Sequence, residues 1–536
     1  SLSRPMMHDG CGTGGITLCL DHPEIKARAQ EFLFRLAERY RNHPGLGGYD
    51  IWNECNHAMC YCPRTQEEFR KWLHEKYVSI VNLCEAWHRP GISDWDDVEA
   101  PRRITPYMES LDWLKFHVDH GIEEMKWRAE IIRSVDGDHA LTAHGLAKTF
   151  GLLPVLGTDD WRAAEVVDSY GLTWGSSRHG DEPWKQPEAI DLIRCAARGK
   201  PIWHAECYGG PLWMQTGDRP REDGVIATPE DIRYWNLTSY MHGVTGSLFL
   251  RWRPLLDGAL FGAFGPYGMD GSRTERSQMS ASICRWVQSA EQQQLWQSRP
   301  AIGEIGILYV PESELFTYAL RGKTEPYQNS CDGAYLGFYR NNIQADFVHL
   351  SDINQYDVLY LPHPVLLEND TVQKITQWVY EGGTLICEGC PSYWNGHTSV
   401  EETQPGQGLD AVFGCKESRV EFTPPLLKHL RMTILGEEAW GGEYLQAYTL
   451  GSGEAVGYYE DGSIAAVQNR YGKGKTLLIG SMLGCGMRTH EKDERTGVFA
   501  RLLDFAGKKQ RVRTTDERVR ARLHEGQGGE YVWLSN

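Results

Sequence analysis

The 536-residue chain has no run of eighteen apolar residues, so no transmembrane helix is expected. It is short of positive charge: 55 Lys and Arg against 72 Asp and Glu leave a net charge of −17. A surface of that sign repels phosphate backbones and anionic lipid, which argues against nucleic-acid and membrane partners. The opening residues, SLSRPMMHDG, carry neither an initiating Met nor a signal-peptide pattern. The G-x-x-x-x-G-K-[ST] spacing of a phosphate loop is absent, and GKGKTLLIG at 472–480 reads as a Gly-Lys turn into a strand. The fourteen cysteines are scattered rather than gathered into a disulfide framework, which favours reduced thiols and a cytoplasmic protein.

Aromatic residues, by contrast, are plentiful. Nineteen tryptophans are many, and a flat indole face is a frequent wall of sugar sites, though most of them are expected in the core. Residues 1–298 alternate strand-like and helix-like segments. Pro23–Asn42 reads as an amphipathic helix with Asp21 as N-cap, and further helices are expected at Arg64–Tyr77 and Ser110–Val135. Strand-like segments follow at Gly48–Trp52, Ala140–His144, Val166–Trp174, Pro201–Glu206 and Gly246–Trp252. That alternation predicts parallel strands joined by crossover helices. The expected fold class is α/β, a (β/α)8 TIM barrel whose first strands are absent from the sequence. An open doubly wound sheet is the alternative.

In such a barrel the chemistry sits where strands end. Two of the five segments end in a carboxylate: GGYDIWNE closes on Asn53 and Glu54, and PIWHAE closes on Glu206. Two carboxylates facing each other across a barrel mouth are what glycoside hydrolysis needs. His204, two before Glu206, shares its strand face under strict alternation, and His144 reads as a hydrogen-bonded structural histidine. Tyr170 and Trp174 fall on the third strand and are candidates to line the cleft. Arg251 and Arg253 flank Trp252, and one of them could orient a carboxylate near the mouth.

The stretches HPEIKARAQEFLFRLAERYRNHPGLGGYDIWNE, CYCPRTQEEFRKWLHEKYVSIVNLCEAW, DWLKFHVD, PIWHAE and HGVTGSLFLRWR resemble the glycoside hydrolase family 42 β-galactosidases. The resemblance implies a retaining glycosidase that needs no cofactor for catalysis, with Glu54 as acid/base and Glu206 as nucleophile. It implies Asn53 on the sugar 2-hydroxyl and Trp213 as a wall of the site. Relatives carry Glu and His after the RWR segment; here Leu260 and Ala263 stand there, with Phe261 and Phe264 nearby, so those two aromatics are expected against the sugar. The substrate is then a β-galactoside or a related β-glycoside or α-L-arabinopyranoside. A non-catalytic carbohydrate-binding or scaffold relative is the competing reading.

The resemblance also implies a structural zinc. Cys19, Cys60 and Cys62 match three ligand positions and Thr65 stands at the fourth, with Cys55, Cys11 or His57 as substitutes. Residues 299–508 resemble the family's flavodoxin-like, amidotransferase-like trimerisation domain, which implies a homotrimer. Cys387 and Cys390 raise an amidotransferase nucleophile as a minor alternative. Residues 509–536 look like the start of a small antiparallel β domain.

Overall fold

The structure, a computed structural model, describes residues 19–57, 59–146, 150–176, 182–211, 225–257, 262–493 and 495–536. Five parallel strands form the first sheet in sequential order: β1 (Gly48–Asp50), β2 (Ala140–Gly145), β3 (Ser169–Trp174), β4 (Ile202–Cys207) and β5 (Gly246–Phe249). Each crossover carries helix, including Met108–Arg133, Asp160–Val166, Lys185–Ala196 and Pro229–Met241. Consecutive parallel strands with helices on one face form the (β/α)8-barrel layout, of which these are five adjacent units.

Alternation assigns the two faces of this sheet. A Cβ added at Gly171 would meet the Cβ atoms of His144 at 3.2 Å and Ala205 at 3.3 Å, so these three residues share the inner face. Tyr170 and His204 point the other way, to the Asp160–Val166 and Pro229–Met241 helices respectively. β1 is shorter than its apolar run, yet pairing with β2 continues beyond it. The Ile51 amide donates to Thr142 O, His144 N to Trp52 O and Cys55 N to His144 O. Residues 51–55 are therefore carried along the end of β2.

Asp21 does not cap the first helix. His22 takes the N-cap position of Pro23–Tyr40 without a side-chain bond, because the Asp21 carboxylate is already engaged by Thr65 and His120.

A second sheet is built on Gly474–Ile479, Thr384–Cys387, Val358–Leu361, Ile305–Tyr309 and Ala345–His349, all parallel and in that spatial order. Antiparallel strands from 430–471 extend it past Gly474–Ile479. Cys387 and Cys390 are fully buried, and burial pushes both thiols well above the ordinary cysteine value. A sealed, protonated thiol is no nucleophile, so the amidotransferase alternative falls.

The hairpin Arg520–Gly526 with Gly529–Ser535 pairs with Arg299–Pro300 as a separate three-stranded sheet. Arg522 on this hairpin lies 3.2 Å from Asp191 on the Lys185–Ala196 helix and 3.4 Å from Asp346 on the second sheet. Arg194 completes the cluster, 3.1 Å from Asp191 and 2.5 Å from Asp346. Burial alone would raise the Asp191 carboxyl, but Arg522, His242 and Arg194 outweigh it and hold the group well below the carboxylate range. Two buried cations balance two buried carboxylates, so removing one leaves a buried charge uncompensated. Arg522→Met is expected to destabilise the chain by about 3–5 kcal/mol. Chemical denaturation followed by tryptophan fluorescence measures this; an unchanged midpoint would show the cluster to be dispensable.

Candidate active site

The candidate site is the C-terminal end of β1, β2 and β4. β3 and β4 pair regularly as far as Leu172 and His204, and the register then shifts so that Thr173 faces Glu206. The β4–β5 pairing shifts over the same stretch, between His204 and Cys207. Such a bulge inserts one residue and re-aims the side chain that follows it. His204 stays on the helix side, fully buried between Ser239 Oγ and Trp174 O at 3.0 Å each. Glu206 turns to the inner face, where its Oε1 lies 3.8 Å from His144 Nε2. The expectation that the two share a face fails because strict alternation does not survive the bulge.

His144 is the centre of this arrangement. Its ring is buried, with Nδ1 3.3 Å from Asp50 Oδ2 and Nε2 toward Glu206. Burial disfavours the imidazolium, but the two carboxylates outweigh it and push the group up to about 9. A cation therefore sits against Glu206 at neutral pH. Neither Asp50 nor this role of His144 was expected from the sequence; the available signal was that both fall at inward positions of adjacent strands.

Glu54 lies in the turn that runs along the end of β2, half-buried, with φ of 47°. A non-glycine residue there is uncommon, and such backbones cluster at functional sites. The turn is held by Asn56 Nδ2 donating to Glu54 O at 2.7 Å and by the Cys55 amide on His144 O at 2.8 Å. Asn53, also half-buried, precedes it. Glu54 and Glu206 thus stand at the same end of the sheet, on strands flanking His144 and Gly171.

The other expected contacts divide. Trp213 and Phe261, with Leu260, lie outside the described residues. Tyr170 does not line the cleft: it is fully buried and its hydroxyl donates to Asp160 Oδ1 at 2.7 Å. Trp174, of the same strand parity, faces a cavity of about 370 Å³ between helices, bordered by Gln186, Tyr234 and Trp235 and not by either glutamate. Phe264 is also buried; it stacks on Tyr208 with centroids 4.4 Å apart, and its carbonyl accepts from the Gly209 amide. It supports the loop after Glu206 instead of presenting its ring to a sugar. Ala263 is buried beside it. Arg251 is exposed, and Arg253 donates to Met269 O at 2.9 Å instead of to a carboxylate.

The Cys19, Cys60 and Cys62 sulfurs converge within 4.8 Å of one another, with Cys19 and Cys62 at 3.6 Å. The proton shared with Cys19 holds Cys60 below the ordinary thiol value against the opposing effect of burial. Thr65 approaches Cys62 Sγ at 3.4 Å and donates to Asp21 Oδ2 at 2.5 Å, which is itself 3.9 Å from Cys19 Sγ. Neither Cys55 nor His57 joins these three thiols, and Asp21 contacts Cys19 and Thr65 without being one of the converging ligand atoms. Cys55 Sγ turns to Trp52 O, His57 joins a different cluster, and Cys11 lies outside the described residues. Three converging thiols are donors that zinc accepts, one short of a closed tetrahedron.

Comparison with known proteins gives a concordant pattern. The β-galactosidase family model matches residues 13–260, and the β-galactosidase trimerisation-domain model matches residues 303–507. The β-galactosidase BgaB of Geobacillus sp. (strain Y412MC61) is 25% identical over 387 residues, covering 69% of this chain and 54% of the relative. The chain thus spans about half the length of that relative. The β-galactosidase BgaH of Haloferax lucentense is 24% identical over 559 residues, 97% of this chain and 78% of the relative. The crystal structure of a β-galactosidase from Bacillus circulans sp. alkalophilus superposes with a TM-score of 0.84 at 20% identity, over 97% of this chain and 77% of that one. With both family models matched in order along one chain, and with the barrel and the second sheet laid out as in that structure, the chain belongs to glycoside hydrolase family 42.

Proposed function

We propose that this chain acts as a retaining glycosidase on β-galactosides or closely related β-glycosides, with Glu206 as nucleophile and Glu54 as acid/base. The observation that carries the reading is the buried His144 ring set between the Asp50 and Glu206 carboxylates at the end of the sheet. A nucleophilic carboxylate must stay ionised and oriented, and a buried cation beside it does both. Glu54 protonates the leaving oxygen while Glu206 attacks the anomeric carbon. In the second step Glu54, now a carboxylate, takes a proton from the attacking water, and Glu206 departs as the leaving group. Asn53 serves the sugar 2-hydroxyl, whose hydrogen bonds strengthen in the transition state. The β-galactosidase names of the relatives support the substrate class.

No catalytic step requires a cofactor. A zinc held by Cys19, Cys60 and Cys62 would be structural, fixing the start of the Pro63–Tyr77 helix to the chain before Pro23. The match to a trimerisation domain supports a homotrimer, with the domains divided near residues 298 and 508. Among the described residues every cysteine is free and no helix is long and apolar enough to cross a membrane. The free thiols support a reducing compartment such as the cytoplasm.

A panel of nitrophenyl glycosides tests the reading. Glu54→Ala is expected to lower kcat by about 10²–10⁴-fold on substrates with poor leaving groups, and Glu206→Gln to abolish turnover. If the unsubstituted chain hydrolyses no member of the panel, the proposal fails. The glutamate carboxyl groups are expected about 5–5.5 Å apart in a sugar complex, as retention requires.

His144 gives a separate readout. Its imidazole resonances are expected to titrate near pH 9, and lower once Glu206→Gln removes one flanking charge. Because its folded value is raised from 6.5 to about 9, its stabilising effect is complete below about pH 6.5 and fades as pH rises through 9. His144→Phe is expected to lower kcat/KM, since Glu206 then loses the partner beside it. A titration near 6.5 would overturn the assignment.

A further inference from the structure

A second group of metal-ligating side chains lies next to the thiol cluster and takes no part in the chemistry above. Ligand atoms of His57, His120 and Glu124 all fall within 4.8 Å of one another. His120 and Glu124 stand four apart on the Met108–Arg133 helix, so both project from one face. His57 comes from the loop after Glu54 and is held against that helix. A Cβ at Gly121 would sit 2.9 Å from His57 Cβ, so the missing side chain there makes the approach possible.

The separations suit a small cation. His57 Nδ1 and Glu124 Oε2 are 3.3 Å apart. Two donors at zinc-like bond lengths of about 2.0–2.1 Å on a tetrahedron lie about 3.3–3.4 Å from each other. His120 Nε2 is 2.8 Å from Asp21 Oδ1, and a carboxylate on an imidazole is the outer partner that orients a metal-bound histidine. All three side chains are largely shielded, with exposures of 4%, 15% and 10%. Arg128 is 3.9 Å from Glu124, but its guanidinium is stacked 3.8 Å from the Trp52 ring centroid, and His117 turns to Val155 O.

We propose that His57, His120 and Glu124 form a binding site for a divalent transition metal ion, distinct from the three-cysteine cluster and linked to it through Asp21. The ion ties the loop bearing Glu54 to the Met108–Arg133 helix, so its effect is on the order and stability of that loop. The proposal does not depend on the glycosidase reading, because binding is measured directly.

Co2+ is the probe, added to the full chain, with metal content measured after gel filtration and coordination read from the visible spectrum. A Cys60→Ser chain is expected to keep about one Co2+ with d–d absorption and no thiolate charge transfer. Adding His57→Ala or Glu124→Gln to that chain is expected to weaken Co2+ binding at least 10-fold, with folding checked by circular dichroism. In the unsubstituted chain the bound Co2+ is expected to shift the imidazole NMR signals of His57 and His120, a readout that needs no substitution. The proposal is overturned if the Cys60→Ser chain binds no Co2+, if all bound Co2+ shows thiolate charge transfer, or if those histidine signals do not move.

Discussion

The candidate site depends on one irregularity, the bulge at the end of β4. With strict alternation Glu206 would follow His204 into the helix layer, where Ser239 and Trp174 O already fill the space. One added residue turns the carboxylate inward to His144. The cost of a disrupted ladder is small beside that of burying an unpaired carboxylate among helices. On the inner face Glu206 finds a cation, and that cation exists because Asp50 holds its other side. The three inward positions on β1, β2 and β4 thus form one electrostatic unit, and Gly171 between them leaves room for it by having no side chain.

Glu54 is positioned by different means. It sits past the end of β1 with a left-handed backbone, so the strand ladder alone does not fix it. What fixes it is the loop that follows, which is anchored at His57 against the Met108–Arg133 helix and at Cys60 and Cys62 against Cys19. Asp21 touches both anchors, accepting from Thr65 on one oxygen and meeting His120 on the other. A residue that looks like a simple helix cap therefore joins the two ends of the site's supporting shell, and it cannot also cap the helix.

The strand order, the parallel pairing and the two glutamates were legible from the chain, because apolar runs of four to six residues ending in a polar residue survive in any register. The direction of individual side chains was not. Tyr170 and Trp174 look like sugar-stacking aromatics, yet they share the parity that faces the helices, and only the contact of Gly171 with His144 and Ala205 shows which parity that is. His204 was misplaced by the bulge, which leaves no mark in a single sequence. The thiol cluster was legible in its three donors, since Cys60 and Cys62 are near neighbours. Asp21 was hidden because its contact with Thr65 spans 44 residues.

The segment after Arg253 packs closely on the loop that follows Glu206. A Cβ at Gly210 would lie 2.0 Å from Gly265 O, and one at Gly265 would lie 2.2 Å from the Arg253 carbonyl carbon. Ala263, Phe264 and Tyr208 pack together over the same contact. The loop that follows Glu206 and the segment at 263–266 are therefore one packed unit. Small and apolar residues are what such packing demands, and a charged side chain placed at Ala263 would be buried. The segment at 263–266 thereby holds the loop after Glu206 in place.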